Sequence, residues 1–135
     1  MDAPTPLAVT WQKAEGAVIC AAGLWLYAGA ETMLPIWAAV LLFFTPDLSF
    51  LAYLFGRRVG AVCYNIVHLY AAGIVTLALG HLWQAPLVWE LGALWLAHCG
   101  VDRMLGYGLK SPQGFEFTHL GRIGRARQAE TQPKG

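Results

Sequence analysis

Asp47, Asn65, His68, His98 and Asp102 carry ionisable or amide side chains inside stretches that are otherwise apolar, and Glu15 lies at the edge of another. Buried among apolar neighbours, such groups are costly unless they bind or react: on insertion scales a charge at bilayer depth costs about 2.5 to 3.5 kcal/mol. The residue types point to two chemistries. Carboxylates and imidazoles together suit zinc, iron or manganese. The same groups also suit acid–base catalysis. His98 and Asp102 are spaced i,i+4, Asn65 and His68 i,i+3, and Tyr64 and His68 i,i+4, so each pair shares one face of a helix. Thr45-Pro46-Asp47 adds a proline that frees the carbonyl of Leu42, a suitable wall for a polar pocket.

Composition sets the frame. Of 135 residues, 57% are hydrophobic and 13% charged, and mean hydropathy is +0.49. Soluble domains carry about 25% charged residues. The reading is an integral membrane protein of one domain. A net charge of +1 and a thin basic tail give no case for nucleic acid. Cys20, Cys63 and Cys99 form no C-x-x-C pair and read as structural thiols. Ala28-Gly29-Ala30 resembles a signal-peptide cleavage site, but Asp2 in the leader and Glu15 in the apolar run argue against cleavage.

Four apolar segments would position these groups: 14–30, 34–55, 59–83 and 87–109. Each approaches or exceeds the span of about 17 to 25 residues that crosses a hydrocarbon core. The breaks Glu31-Thr32-Met33, Gly56-Arg57-Arg58 and Gln84-Ala85-Pro86 are short, so neighbours are antiparallel. The expected fold is all-α: a four-span transmembrane helix bundle, up-down-up-down. A glycine-rich tail, 110–121, packs beneath it, and 122–135 is a flexible polar terminus.

The basic residues orient this arrangement. Lys13, Arg57, Arg58, Arg103, Lys110, Arg122, Arg125, Arg127 and Lys134 all fall on one side. By the positive-inside rule both termini are cytoplasmic and the location is the cell's inner membrane. Trp11, Trp37, Trp83 and Trp89 fall near span ends, as an aromatic belt expects, whereas Trp25 and Trp95 lie deeper.

Depth sharpens the site. At about 1.5 Å per residue, Asp47, Asn65, His68, His98 and Asp102 all lie roughly 9 to 15 Å from the cytoplasmic ends of their segments. Glycines 106, 108, 114 and 121 would let the tail fold back and bring His119 to the same mouth. The expectation is a cytoplasm-facing pocket in which His68, His98, Asp102 and His119 bind a divalent metal ion. Asp47, which could also ligate, joins Glu15 and Asn65 as catalytic groups. Each residue also has a plain structural reading. Asn65 and His68 could hydrogen-bond between helices, Asp102 could pair with Arg103 or Arg58, Glu15 could be a solvated helix end, and His119 an ordinary tail residue. His81 reads as an interface histidine.

The same residues carry a resemblance. Phe44-Thr-Pro-Asp-Leu-Ser49, Gly60-Ala-Val-Cys-Tyr-Asn-Ile-Val-His-Leu-Tyr70, Trp95-Leu-Ala-His-Cys-Gly-Val-Asp-Arg-Met-Leu-Gly-Tyr-Gly-Leu-Lys110 and Gly114-Phe-Glu-Phe-Thr-His-Leu-Gly121 resemble a small bacterial integral-membrane family, domain-of-unknown-function family 4260. The resemblance runs from Lys13 to Arg122 and is most specific from His98 to Gly121. It implies a compact four-span bacterial protein and assigns no catalytic role.

Three functions follow from the pattern. The first is a metal-dependent hydrolase acting on a lipophilic or membrane-associated substrate. The second is a metal-independent acid–base isomerase or cyclase. The third is a small transporter, proton path or assembly subunit; it ranks last because the outer half offers only His81 and Glu90. The expected partners are the lipid bilayer and a lipophilic small molecule, and a homo-oligomer is compatible with the pattern.

Overall fold

The computed structural model describes residues 4–31 and 34–125. Arg127 and Lys134, most of the polar terminus and Thr32-Met33 of the first break lie outside the described residues. The chain is mostly helical: α1 (Pro6–Ala28), α2 (Ile36–Phe43), a 3-10 helix (Thr45–Phe55), α3 (Arg57–Val67), α4 (Tyr70–Leu82) and α5 (Pro86–Leu105). A small sheet of β1 (Lys110–Ser111), β2 (Gly114–Thr118) and β3 (Gly121–Arg122) follows.

Small residues make α5 the hub. Its Ala93, Ala97 and Gly100 recur every three or four positions, and Gly16, Cys20 and Gly23 of α1 match them. The helices meet backbone to backbone. A Cβ added at Gly23 would lie 2.6 Å from the Ala97 nitrogen, and one at Gly16 2.6 Å from the Met104 nitrogen. The other face of α5 meets α4 in the same way: Gly73 of α4 lies against Leu96, and Gly92 of α5 against Leu77. Leu77, Ala93 and Leu96 form a core with Ile19, Leu26, Tyr27, Tyr70 and Trp89 packed around it. Only small residues at the contact let two helix backbones approach so closely.

The four expected segments are present as helical stretches but are not four uniform spans. Among the described residues, Ile36–Phe55 is the one helical stretch long and apolar enough to cross a membrane alone, and α3 with α4 qualifies only as a pair bent by 45°. Helices α1 and α5, at 23 and 20 residues, have the length but carry Lys13 and Glu15, and Glu90, Asp102 and Arg103.

Two breaks depart from straight helices. Pro46 has no amide hydrogen to give Leu42, and the chain tightens into a 3-10 helix of 11 residues, with Asp47 N–H donating to the Phe44 carbonyl at 3.1 Å. The second break falls at His68 and Leu69, where Leu69 is extended. The carbonyls it frees are met from α5: Trp95 Nε1 donates to Val67 O at 2.8 Å, and Cys99 Sγ lies 3.7 Å from the same oxygen. All three cysteines are free thiols.

Helix α5 ends at Gly106, whose φ of 94° supplies the left-handed cap. The tail then forms its antiparallel sheet, β1-β2-β3, with Lys110 opposite Thr118 and Phe117 opposite Arg122. It packs beneath α3, where Phe115 meets Phe50 and Tyr53 edge-on at 5.2 and 5.8 Å.

Candidate metal centre

Three elements deliver one side-chain cluster. The 3-10 helix, opened by Pro46, presents Asp47. The end of α3 presents His68 as its cap residue. Helix α5 presents His98 and, one turn on, Asp102. One ligand atom from each of the four lies within 4.8 Å of all the others. His68 and His98 are 2% exposed, so two imidazoles are held almost dry.

The distances are those of a coordination shell. The two Nε2 atoms stand 3.3 Å apart. Asp47 Oδ1 lies 3.6 Å from His68 Nε2 and 3.5 Å from His98 Nε2. Asp102 Oδ2 lies 3.5 Å from His68 Nε2 and 3.9 Å from His98 Nε2. A tetrahedral ion with bonds of about 2.0 to 2.1 Å sets its ligand atoms roughly 3.3 to 3.4 Å apart. The group could therefore hold a metal ion.

Surrounding groups fix the ligands. His68 Nδ1 lies 3.0 Å from the Tyr64 carbonyl, which can only accept, so that nitrogen carries the proton and Nε2 faces the cluster with a lone pair. Tyr64 donates its hydroxyl to Asp102 Oδ2 at 2.9 Å and stacks on the His68 ring at 3.7 Å. Phe43 and Phe44 meet the His98 ring edge-on at 5.2 and 6.3 Å. Asp47 is the most open member, its side chain 35% exposed against 17% for Asp102.

Three of the expected site residues stand elsewhere. Asn65 turns to the tail: its Nδ2 donates to the Lys110 carbonyl at 2.9 Å and its Oδ1 accepts from Lys110 N–H at 2.6 Å. It copies a strand partner and pins β1 to α3. His119 does not reach the cluster, because its Nδ1 accepts from Leu109 N–H at 2.9 Å. Burial and the nearby Arg103 charge hold its ring below the usual histidine range. Glu15 is exposed on α1, which packs chiefly on α5. Asp102 makes no ion pair with Arg103 or Arg58 among the described residues; its contacts are Tyr64 and the two imidazoles.

Two residues join the site that chemistry-bearing spacing alone did not single out. Tyr64 was visible only as an i,i+4 neighbour of His68. Lys110 gave no signal. Its ammonium is buried, 3.9 Å over the Phe115 ring and 5.0 Å from that of Tyr64. Burial pushes it down to about 8, with Asp102 and Asp47 opposing the shift.

No curated protein and no solved structure matches this chain. A family model described as a domain of unknown function (DUF4260) matches residues 9–123, nearly the whole chain, and the chain belongs to that family.

Proposed function

We propose that this chain is a multi-pass protein of the bacterial inner membrane in which the Asp47, His68, His98 and Asp102 cluster binds one divalent ion and hydrolyses an ester or phosphoester of a lipophilic substrate. The observation that carries the reading is the spacing of the four ligand atoms: five of their six separations are 3.3 to 3.9 Å, at or somewhat above the edges of a tetrahedral shell.

The membrane part rests on what the helices leave uncovered. Ile36, Leu54 and Phe55 are each more than 80% exposed, and Trp25, Trp37 and Trp83 more than 60%. Apolar exposure on that scale marks a surface made for lipid or a partner. The basic residues Arg57, Arg58 and Arg103 lie at one end of their segments, which favours cytoplasmic termini. In this arrangement helices α1, α2 with the 3-10 helix, α3 with α4, and α5 make the four crossings.

All four donors lie within reach of one ion; His68, His98 and Asp102 would hold it through the reaction, and Asp47, the most exposed of the four, would give its position to water and serve as the base. Catalytic zinc sites keep three protein ligands and an open position. Zinc, iron and manganese all accept these donors. An ion held there would supply an activated water and polarise the carbonyl or phosphoryl oxygen. Asp47 accepts the proton as water oxygen bonds to the electrophile, and returns it to the departing alcohol as the ester bond breaks.

The test is turnover by metal-loaded protein in lipid nanodiscs, offered a panel of long-chain esters and phosphoesters. The reading expects activity that chelation removes and added metal restores, and that Asp47→Asn abolishes while metal is retained. Activity that survives exhaustive chelation would transfer the chemistry to the carboxylates and imidazoles alone. No turnover across the panel by fully loaded protein would refute hydrolysis.

A further inference from the structure

Helices α2 and α4 both lie on α5 without packing closely on each other. The gap between them is a cleft of about 450 Å³, within the range of roughly 300 to 1,000 Å³ typical of small-ligand sites. Its lining residues adjoin those of the centre along the chain, without including any of the four. Pro46 and Val67 are the residues immediately before Asp47 and His68, and Trp95 lies one turn before His98. Away from that end the walls are Leu42, Thr76 and Leu91.

The cleft is apolar because its polar atoms are spent on the backbone. Thr76 Oγ1 donates to the Ala72 carbonyl at 2.8 Å, and Trp95 Nε1 donates to Val67 O at 2.8 Å. Thr76 therefore offers its methyl and Trp95 its ring. Ser49 is the exception. It lines the cleft two residues beyond Asp47, and its Oγ is buried with no hydrogen-bond partner. An apolar slot beside a cluster of carboxylates and imidazoles fits a molecule with a polar head and an apolar body.

We infer that this cleft is the chain-binding subsite of the centre, and that it takes a single hydrocarbon chain of an amphiphile whose polar head lies against Asp47, His68, His98 and Asp102. The inference rests on reading those four residues as a metal site and names the substrate class that site accepts. Leu91 and Thr76 flank the chain.

The test uses the full chain in detergent, loaded with cobalt(II) as a coloured substitute for zinc, and two probes. Acetohydroxamic acid has a chelating head and no chain. Dodecanohydroxamic acid with a mid-chain diazirine has both. The expected result is that both probes shift the cobalt absorption bands, and that irradiation labels Leu42, Thr76, Leu91 or Trp95. Excess unlabelled dodecanohydroxamic acid removes that labelling, and so do Leu91→Trp and, from the opposite wall, Thr76→Phe. Retained cobalt bands show that each variant is folded. Labelling spread over Ile36, Leu54 and Phe55, unchanged in both variants while acetohydroxamic acid still shifts the bands, would overturn the chain subsite and leave the metal centre standing. No band shift with either probe would overturn the metal reading and the inference with it.

Discussion

Replacing Tyr64 by phenylalanine removes one oxygen and leaves the ring that stacks on His68. The hydroxyl lost is the one that donates to Asp102 Oδ2 at 2.9 Å, in a residue 1% exposed. A hydrogen bond to a charged group contributes about 1.5 to 3 kcal/mol. At about 1.4 kcal/mol per tenfold, its loss corresponds to a fall in metal affinity of roughly 10- to 100-fold. That is also the range found when residues behind metal ligands are removed. Asp102 would turn more freely, and the carboxylate would no longer be held toward the two imidazoles. The assay is a zinc titration against a chelating indicator, with circular dichroism to verify that the helices persist. Asp102→Ala serves as the lower bound, because it deletes a ligand. Zinc affinity of Tyr64→Phe within about twofold of the unchanged protein would refute the role given to the phenol.

Asn65→Ala removes both hydrogen bonds to the Lys110 backbone. It should weaken tail docking by about 1 to 3 kcal/mol while zinc affinity holds; hydrogen exchange over 110–118 reads the first and the indicator titration the second. Lys110 gives a pH test. Its folded ammonium titrates near 8 against an ordinary value of 10.5, so between these values the unfolded chain binds more protons than the folded one. The stability of the unchanged protein should therefore rise relative to Lys110→Met as pH climbs through that window. Urea melts across the window check it, and a constant gap would contradict the burial of the charge.

The apolar segments were legible because composition and run length are properties of a sequence, and helices stand where the runs stand. Position along a segment needs only a residue count, and Asp47, His68, His98 and Asp102, which that count aligns, come together. Direction around the helix was not. Asn65 shares the depth of His68 but lies three residues earlier, on a face that looks to the tail. His119 was placed by the reach of a glycine-rich tail, yet the sheet fixes that tail in a register that turns its ring to Leu109. Pro46 announced a kink without revealing that the helix beyond it would tighten for 11 residues. The break at His68 and Leu69 has no proline or glycine to signal it. Trp95 and Cys99 of α5 donate to the Val67 carbonyl at the break, and such a long-range partner leaves no local mark. Strands of two residues are too short for any period to show.

The cluster of Asp47, His68, His98 and Asp102 is the centre of the account, and its occupancy is directly measurable. Elemental analysis of the full chain, purified from metal-supplemented cells without chelators, should find about one divalent ion per folded protein and none in His98→Ala. A folded, unchanged protein that arrives metal-free and takes up no zinc, manganese or iron(II) on dialysis would contradict it.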